Sequence, residues 1–111
     1  MKKIEIIDGV RVRMLDDNFT KGDRTFEKVQ DFEIKGKVWH CYHVNFKGQE
    51  GSKYCELFKS VFDKKHHLDT NPEYDKIERY PSDECFGKWA YACVDFNHVL
   101  EVVEKLRMGE K

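Results

Sequence analysis

Apolar and polar residues alternate in two parts of the N-terminal half, and each part is interrupted by a short turn sequence that ends in glycine. The first turn, residues 7–9, separates residues 4–6 from residues 10–14. The second turn, residues 34–36, precedes a strand-like run over residues 37–46. Alternation with period two is typical of β-strands, and a glycine that closes a short loop is typical of a hairpin. The pattern therefore predicts two β-hairpins.

The loop length decides which side chains of each hairpin share a face. A three-residue loop places Ile6 opposite Val10 and separates apolar from charged residues more cleanly than a two-residue loop does. The same loop length in the second hairpin places Phe32 opposite Val38. One face of that hairpin is then half polar, and we expect it to be partly exposed; it carries Glu27, Val29, Asp31, Trp39, Cys41 and His43.

Two later segments carry apolar residues at the spacing of a helical stripe. Residues 52–65 have apolar side chains three and four positions apart, which predicts a first helix. Residues 96–108 show the same spacing, with Asp95 in the N-cap position and Gly109 just after the last apolar residue. These flanking residues are typical helix boundaries, so a second helix is predicted there.

Two segments that follow the predicted first helix give weaker patterns. Residues 70–73 resemble the start of a helix, because Pro72 follows a capping residue and proline is common in the first helical turn. One or two helical turns are therefore expected within residues 70–80. Residues 87–94 alternate large and small apolar residues, which predicts a buried strand in the centre of the sheet. The predicted fold class is therefore α+β. It has an antiparallel sheet of about five strands, with helices at about 52–65 and 96–108 packed on one face.

Length and composition favour a single small domain spanning residues 1–111. Charged residues make up 37% of the chain, but the net charge is only −1, and basic residues form no dense cluster. Nucleic-acid binding is therefore disfavoured, although a single-strand binder with a dispersed site stays open. No apolar run approaches the length of a membrane helix. We expect a soluble cytoplasmic protein whose four cysteines are reduced.

The best candidate metal ligands are Cys41 and His43, which lie two residues apart on a predicted strand and thus on one face. Glu27, opposite His43 in the expected register, could supply a third ligand. The alternative is that Cys41 packs as a small apolar residue and His43 is a surface histidine. No paired-cysteine zinc motif accompanies them, and no cofactor-binding motif is present.

No catalytic motif occurs, so an enzyme would need a site assembled from dispersed residues such as His40, His43, Glu27 and Cys55. The favoured hypothesis is a non-enzymatic domain that binds another protein. Its expected binding surface consists of Trp39, Cys41, His43, Glu27 and Asp31. Trp39 would anchor the partner if exposed, or lie in the core if a helix covers it. A homodimer through an exposed sheet edge is a further alternative.

Overall fold

The computed structural model describes residues 3–46, 49–64 and 67–109, except for the side chains of residues 49–52 and Asp83. Within these residues the protein forms nine β-strands and one α-helix, with a short 3-10 turn at Asp83–Cys85. The elements are β1 (Lys3–Ile7), β2 (Val10–Met14), β3 (Asn18–Lys21), β4 (Arg24–Ile34), β5 (Lys37–Phe46), β6 (Gln49–Lys59), β7 (Phe62–Lys64), β8 (Lys76–Glu78), β9 (Ala90–Cys93) and α1 (Phe96–Met108).

The elements form two compact units, each built on one sheet. The first unit contains a four-stranded sheet with strand order β1-β2-β8-β7. The second contains a five-stranded sheet with order β3-β4-β5-β6-β9, on which α1 packs. The single domain expected from length stays a prediction. No helix in the described part of the chain is long and apolar enough to cross a membrane.

The predicted helix over residues 52–65 is wrong, because most of this segment is strand β6. β6 is an inner strand, paired with β5 and β9, and it is buried on both faces: Cys55 and Leu57 on the α1 side, Glu56 and Phe58 on the other. A strand buried on both faces shows no simple alternation, and its apolar residues can match helical spacing by chance.

Other elements predicted for the α+β fold also differ from the structure. The helical turns predicted within residues 70–80 are absent, and part of that segment, residues 76–78, is strand β8. The predicted α+β class with two helices is therefore wrong: the chain is mostly β, with a single helix in its described part. The strand predicted within residues 87–94 is confirmed as β9, but it lies at the edge of its sheet instead of the centre.

The predicted helix over residues 96–108 is confirmed as α1, with both predicted caps. The Asp95 carboxylate accepts a hydrogen bond of 2.9 Å from the backbone N–H of His98. Gly109 ends the helix in the left-handed conformation, and its N–H donates to the carbonyl of Leu106 at 3.2 Å. The N-cap, the apolar stripe and the C-terminal glycine all lie within one segment, so the helix could be predicted from local sequence alone.

Both hairpins have two-residue loops, not the predicted three-residue loops. In the first hairpin Ile7 pairs with Val10 and Ile6 with Arg11. The loop residues Asp8 and Gly9 have φ values of 52° and 79°. A two-residue turn with positive φ at both positions follows the right-handed twist of the strands, which explains the shorter loop. Ile6 consequently shares a face with Arg11 and its side chain is 75% exposed.

In the second hairpin the predicted register is wrong near the turn and correct farther away. Phe32 pairs with Trp39 instead of Val38. A β-bulge between Lys28 and Gln30 then shifts the pairing by one residue. Beyond the bulge, Glu27 lies opposite His43, as predicted. Because of the bulge, odd-numbered residues before it lie on the same face of the sheet as even-numbered residues after it.

Candidate functional site

Two residues of the predicted binding surface lie in the core beneath α1. Trp39 is only 5% exposed, and its ring stacks on that of Tyr91 with 6.1 Å between centroids. Cys41 is completely buried. Neither side chain offers surface to a partner, because α1 covers the face of the sheet on which both lie. The cluster comprises Phe32, Ile34, Trp39, Cys41, Cys55, Leu57, Cys93, Val99, Val102, Val103 and Leu106.

Glu27, His43 and Cys55 form a row across β4, β5 and β6, because each is paired with the next in register. Glu27 is exposed, His43 is half-buried and Cys55 is 2% exposed. His43 and Cys55 line a cleft of about 240 Å³ beside the start of α1, to which Asp95 and Phe96 also contribute. This volume is below the usual range for small-molecule sites, so the cleft has room for a side chain but not for a typical metabolite.

The thiols near this cleft are poorly suited to nucleophilic chemistry. Burial, together with the neighbouring Cys55 and Cys93 thiols, raises the pKa of Cys41 to about 12. Burial also raises the pKa of Cys55; a hydrogen bond with Cys41 opposes this change and the Asp95 carboxylate adds to it. A nucleophilic or metal-bound cysteine needs the thiolate, which is scarce here at neutral pH.

The geometry also gives the metal hypothesis no support. Cys41 and His43 do lie on one face of β5, as expected. The described residues nevertheless contain no group of three or more histidine, cysteine, aspartate or glutamate side chains that could hold a metal ion.

Asp31 is separated from the other predicted site residues and lies on the opposite face of the sheet. It pairs with His40 across β4 and β5, with 2.6 Å between Oδ1 and the imidazole Nδ1. Lys28 approaches the same carboxylate oxygen at 3.5 Å. Because the bulge lies between Lys28 and Gln30, Glu27 and Asp31 do not share a face. The five predicted binding residues therefore do not form one surface.

The sheet edges offer a different type of site, because an unpaired strand can accept a strand from another protein. The β9 edge is largely closed. The N–H of Gly87 donates to the Ala90 carbonyl at 2.7 Å, and Phe86 forms an isolated bridge with Ala90. At the other end, the N–H of Val94 donates to Nδ1 of His98 at 3.2 Å. Among the described residues, the stretch around Ala92 has no further strand paired with it between these contacts.

The β7 and β3 edges are short and polar. β7 has three residues, and its Asp63 forms an ion pair of 3.0 Å with Arg79. β3 has four residues, all exposed except the half-buried Phe19. Short length and polar side chains are common ways to keep an edge strand from pairing.

The β1 edge, the outward side of Lys3–Ile7, is the longest of the four edge strands, and three of its five residues are isoleucines. Its outward backbone groups follow from the register. The carbonyl of Arg11 accepts a hydrogen bond from the N–H of Asp75 at 2.9 Å, so Arg11 directs its backbone away from β1. Its cross-strand partner Ile6 therefore directs its N–H and C=O away from β2, and Ile4 does the same two residues earlier.

No strand in the described part of the chain pairs with the β1 edge. Ile6 is 75% exposed there, and the neighbouring Glu5 is also exposed. Sequence reasoning missed this site because the three-residue loop placed Ile4 and Ile6 on a buried face. The dipeptide Asp8-Gly9, a strong signal for a two-residue hairpin loop, could have revealed it.

Comparison with known proteins finds no matching family model, no similar curated protein and no similar solved structure.

Proposed function

We propose that this chain acts by binding another protein, an extended segment of which pairs with the β1 edge. The observation that carries the proposal is Ile6, a large apolar side chain that is 75% exposed on an edge strand. Ile4 and Ile6 direct their backbone N–H and C=O groups outward, so an added strand would find two donors and two acceptors. Strand addition of this kind obtains affinity from the main chain and specificity from alternate side chains.

The size of the edge sets the expected strength of binding. Burying one isoleucine fully contributes about 1.5–3 kcal/mol, and each net backbone hydrogen bond about 0.5–1.5 kcal/mol. Ordering the added segment and losing translational freedom oppose these contributions. We therefore expect transient complexes with dissociation constants in the micromolar range or weaker, as is common for small interfaces.

A selection from a displayed library of random dodecapeptides tests the proposal directly. Selected peptides should bind the wild-type chain and bind Ile6→Lys at least about tenfold more weakly, because the lysine places a charge in the contact. Met108→Lys is the matched control, since Met108 is 69% exposed on α1. It should bind the peptides like wild type.

Two results would contradict the proposal. One is a selection that enriches no peptide above the level seen with an unrelated domain. The other is a set of peptides whose affinity Ile6→Lys leaves unchanged. Circular dichroism and thermal unfolding of both variants would show that they are folded, so a loss of binding reports on the β1 edge.

We also propose that the protein acts in the cytoplasm. Support comes from Cys41 and Cys55, whose thiols are hydrogen-bonded to each other in the core and are not joined as a disulfide. Neighbouring cysteines of secreted proteins are commonly joined as disulfides, whereas cytosolic ones stay reduced.

A further inference from the structure

We infer that the partner segment carries a basic residue between two apolar residues, and that it belongs to a different protein and not to a second copy of this chain. The inference rests on the proposed function and specifies the chemistry of the partner. It follows from the order of Ile4, Glu5 and Ile6 along the β1 edge and from the faces that these side chains occupy.

The two isoleucines determine the apolar positions of the partner. Ile4 and Ile6 lie on one face of the first sheet, next to their cross-strand partners Arg13 and Arg11. A segment added outside β1 meets the isoleucines first, because the arginines are one strand farther away. Aliphatic residues of the partner, directly opposite Ile4 and Ile6, would cover the exposed apolar surface.

Glu5 determines the charged position. Its side chain lies on the other face, beside its cross-strand partner Val12, which is 1% exposed. Glu5 directs its own backbone groups towards β2, so it would form a non-hydrogen-bonded pair with an antiparallel partner strand. Such pairs bring opposing side chains closest together. A lysine or arginine of the partner would therefore meet the Glu5 carboxylate directly.

The same geometry disfavours a second copy of the chain as the occupant. When two copies of β1 pair antiparallel over their whole length, Ile4 of each lies opposite Ile6 of the other. Glu5 then lies opposite Glu5 of the second copy, again in a closely spaced pair. Like charges directly opposite each other destabilise a sheet, so this arrangement is opposed by the residue that attracts a basic partner.

Two blocked heptapeptides test the inference by fluorescence anisotropy. Both have threonine flanks, and the centre is valine–lysine–valine in one and valine–glutamate–valine in the other. The wild-type chain should bind the lysine peptide about three- to tenfold more tightly, from the gain of an opposite-charge pair and the loss of a like-charge pair. Glu5→Lys should reverse this preference, and Glu5→Gln should remove most of it.

Glu101→Lys is the matched control, because Glu101 is exposed on α1, outside the first sheet. It makes the same change in net charge and should leave the preference as in wild type. If it reverses the preference like Glu5→Lys, then overall charge and not the β1 edge selects the peptide, and the inference is overturned.

The remaining outcomes separate the inference from the proposed function. One outcome is that both peptides bind the wild-type chain with equal affinity, bind Ile6→Lys more weakly and bind Glu5→Lys like wild type. In that case the β1 edge binds strands without selecting charge. The inference then fails and the proposed function stands. If neither peptide binds and the library selection also fails, both are overturned. A dimer in sedimentation velocity that Ile6→Lys dissociates would show that a second copy occupies the edge, which also overturns the inference.

Discussion

The β1 and β9 edges limit unwanted pairing with other strands in different ways. β9 contains no charged residue, and the protein closes its ends with the Phe86–Ala90 bridge and the hydrogen bond from Val94 to His98. β1 carries Lys3 and Glu5, and no strand in the described part of the chain covers it. Charge on an edge strand discourages indiscriminate pairing without removing the backbone groups. A covered edge is merely inert, whereas a charged open edge can be selective.

The residues next to the two edges also differ in burial. On the β9 side, Tyr91 stacks on the buried Trp39 beneath α1. On the β1 side, Ile6 is mostly solvated. Substitutions should therefore affect mainly stability near β9 and mainly binding at β1. This contrast can be tested by three measurements with decreasing expected effects.

The largest effect is expected for Trp39→Ala. Removing a large buried aromatic side chain typically lowers the free energy of unfolding by about 3–5 kcal/mol, through lost burial and the cavity left behind. Ile6→Ala, at an exposed position, should change it by no more than about 0.5 kcal/mol. Urea denaturation followed by circular dichroism measures both values. Similar losses for the two variants would show that the two edges do not differ as described.

A smaller effect should appear at alkaline pH, and it should arise in the sheet that contains β9. The pKa of Cys41 rises from its ordinary 9.0 to about 12 on folding, mainly through burial. The folded chain therefore keeps a proton that the unfolded chain loses between these values. The stabilisation is complete below pH 9 and is lost as the pH rises towards 12, with a slope of at most about 1.4 kcal/mol per pH unit.

Denaturation of wild type and Cys41→Ala at several pH values between 8 and 11 isolates this contribution. Lysine and tyrosine residues also titrate in this range, so the informative quantity is the difference between the two slopes. Cys41→Ala should lose less stability per pH unit than wild type. Equal slopes would mean that Cys41 is not the group whose proton release accompanies unfolding.

The smallest effect is expected for Gly87→Ala, which strains the turn that closes β9. Gly87 has a φ of 91°, and a Cβ placed there would meet no atom within 4 Å. The cost is therefore the backbone strain of one left-handed residue, about 1–2 kcal/mol, which is less than the Cys41 contribution summed over two pH units. The strain should weaken the contact with Ala90 and expose Cys93, which is 1% exposed in β9. Alkylation of Cys93, followed by mass spectrometry, should therefore become faster.

Gly22→Ala is the control for this experiment. Gly22 also has a positive φ, of 63°, with open space around its Cβ position, but it lies in the turn between β3 and β4. It should cost a similar free energy without a comparable increase in Cys93 alkylation. If both variants accelerate alkylation equally, general destabilisation and not local opening of β9 is responsible.

The sequence was sufficient where the determining signals are local, and insufficient where they depend on neighbouring strands. α1 has its stripe, its Asp95 cap and its Gly109 end within one segment, and it was predicted correctly. β6 was mistaken for a helix because it is buried on both faces, which removes the alternation that marks a strand. The same limit explains the candidate site, since the exposure of Ile6 follows from a loop one residue shorter than the alternation suggested.

The bulge between Lys28 and Gln30 has a consequence for how this chain would tolerate change. The face of the sheet on which α1 packs carries odd-numbered residues of β4 before the bulge, such as Glu27, and even-numbered residues after it, such as Phe32 and Ile34. In a systematic mutational scan of β4, sensitive and tolerant positions should therefore alternate, and the alternation should shift by one residue near Val29. The exposed Val29 is also the point where an evolving lineage could lose a residue from β4 and still keep both halves of the strand in place.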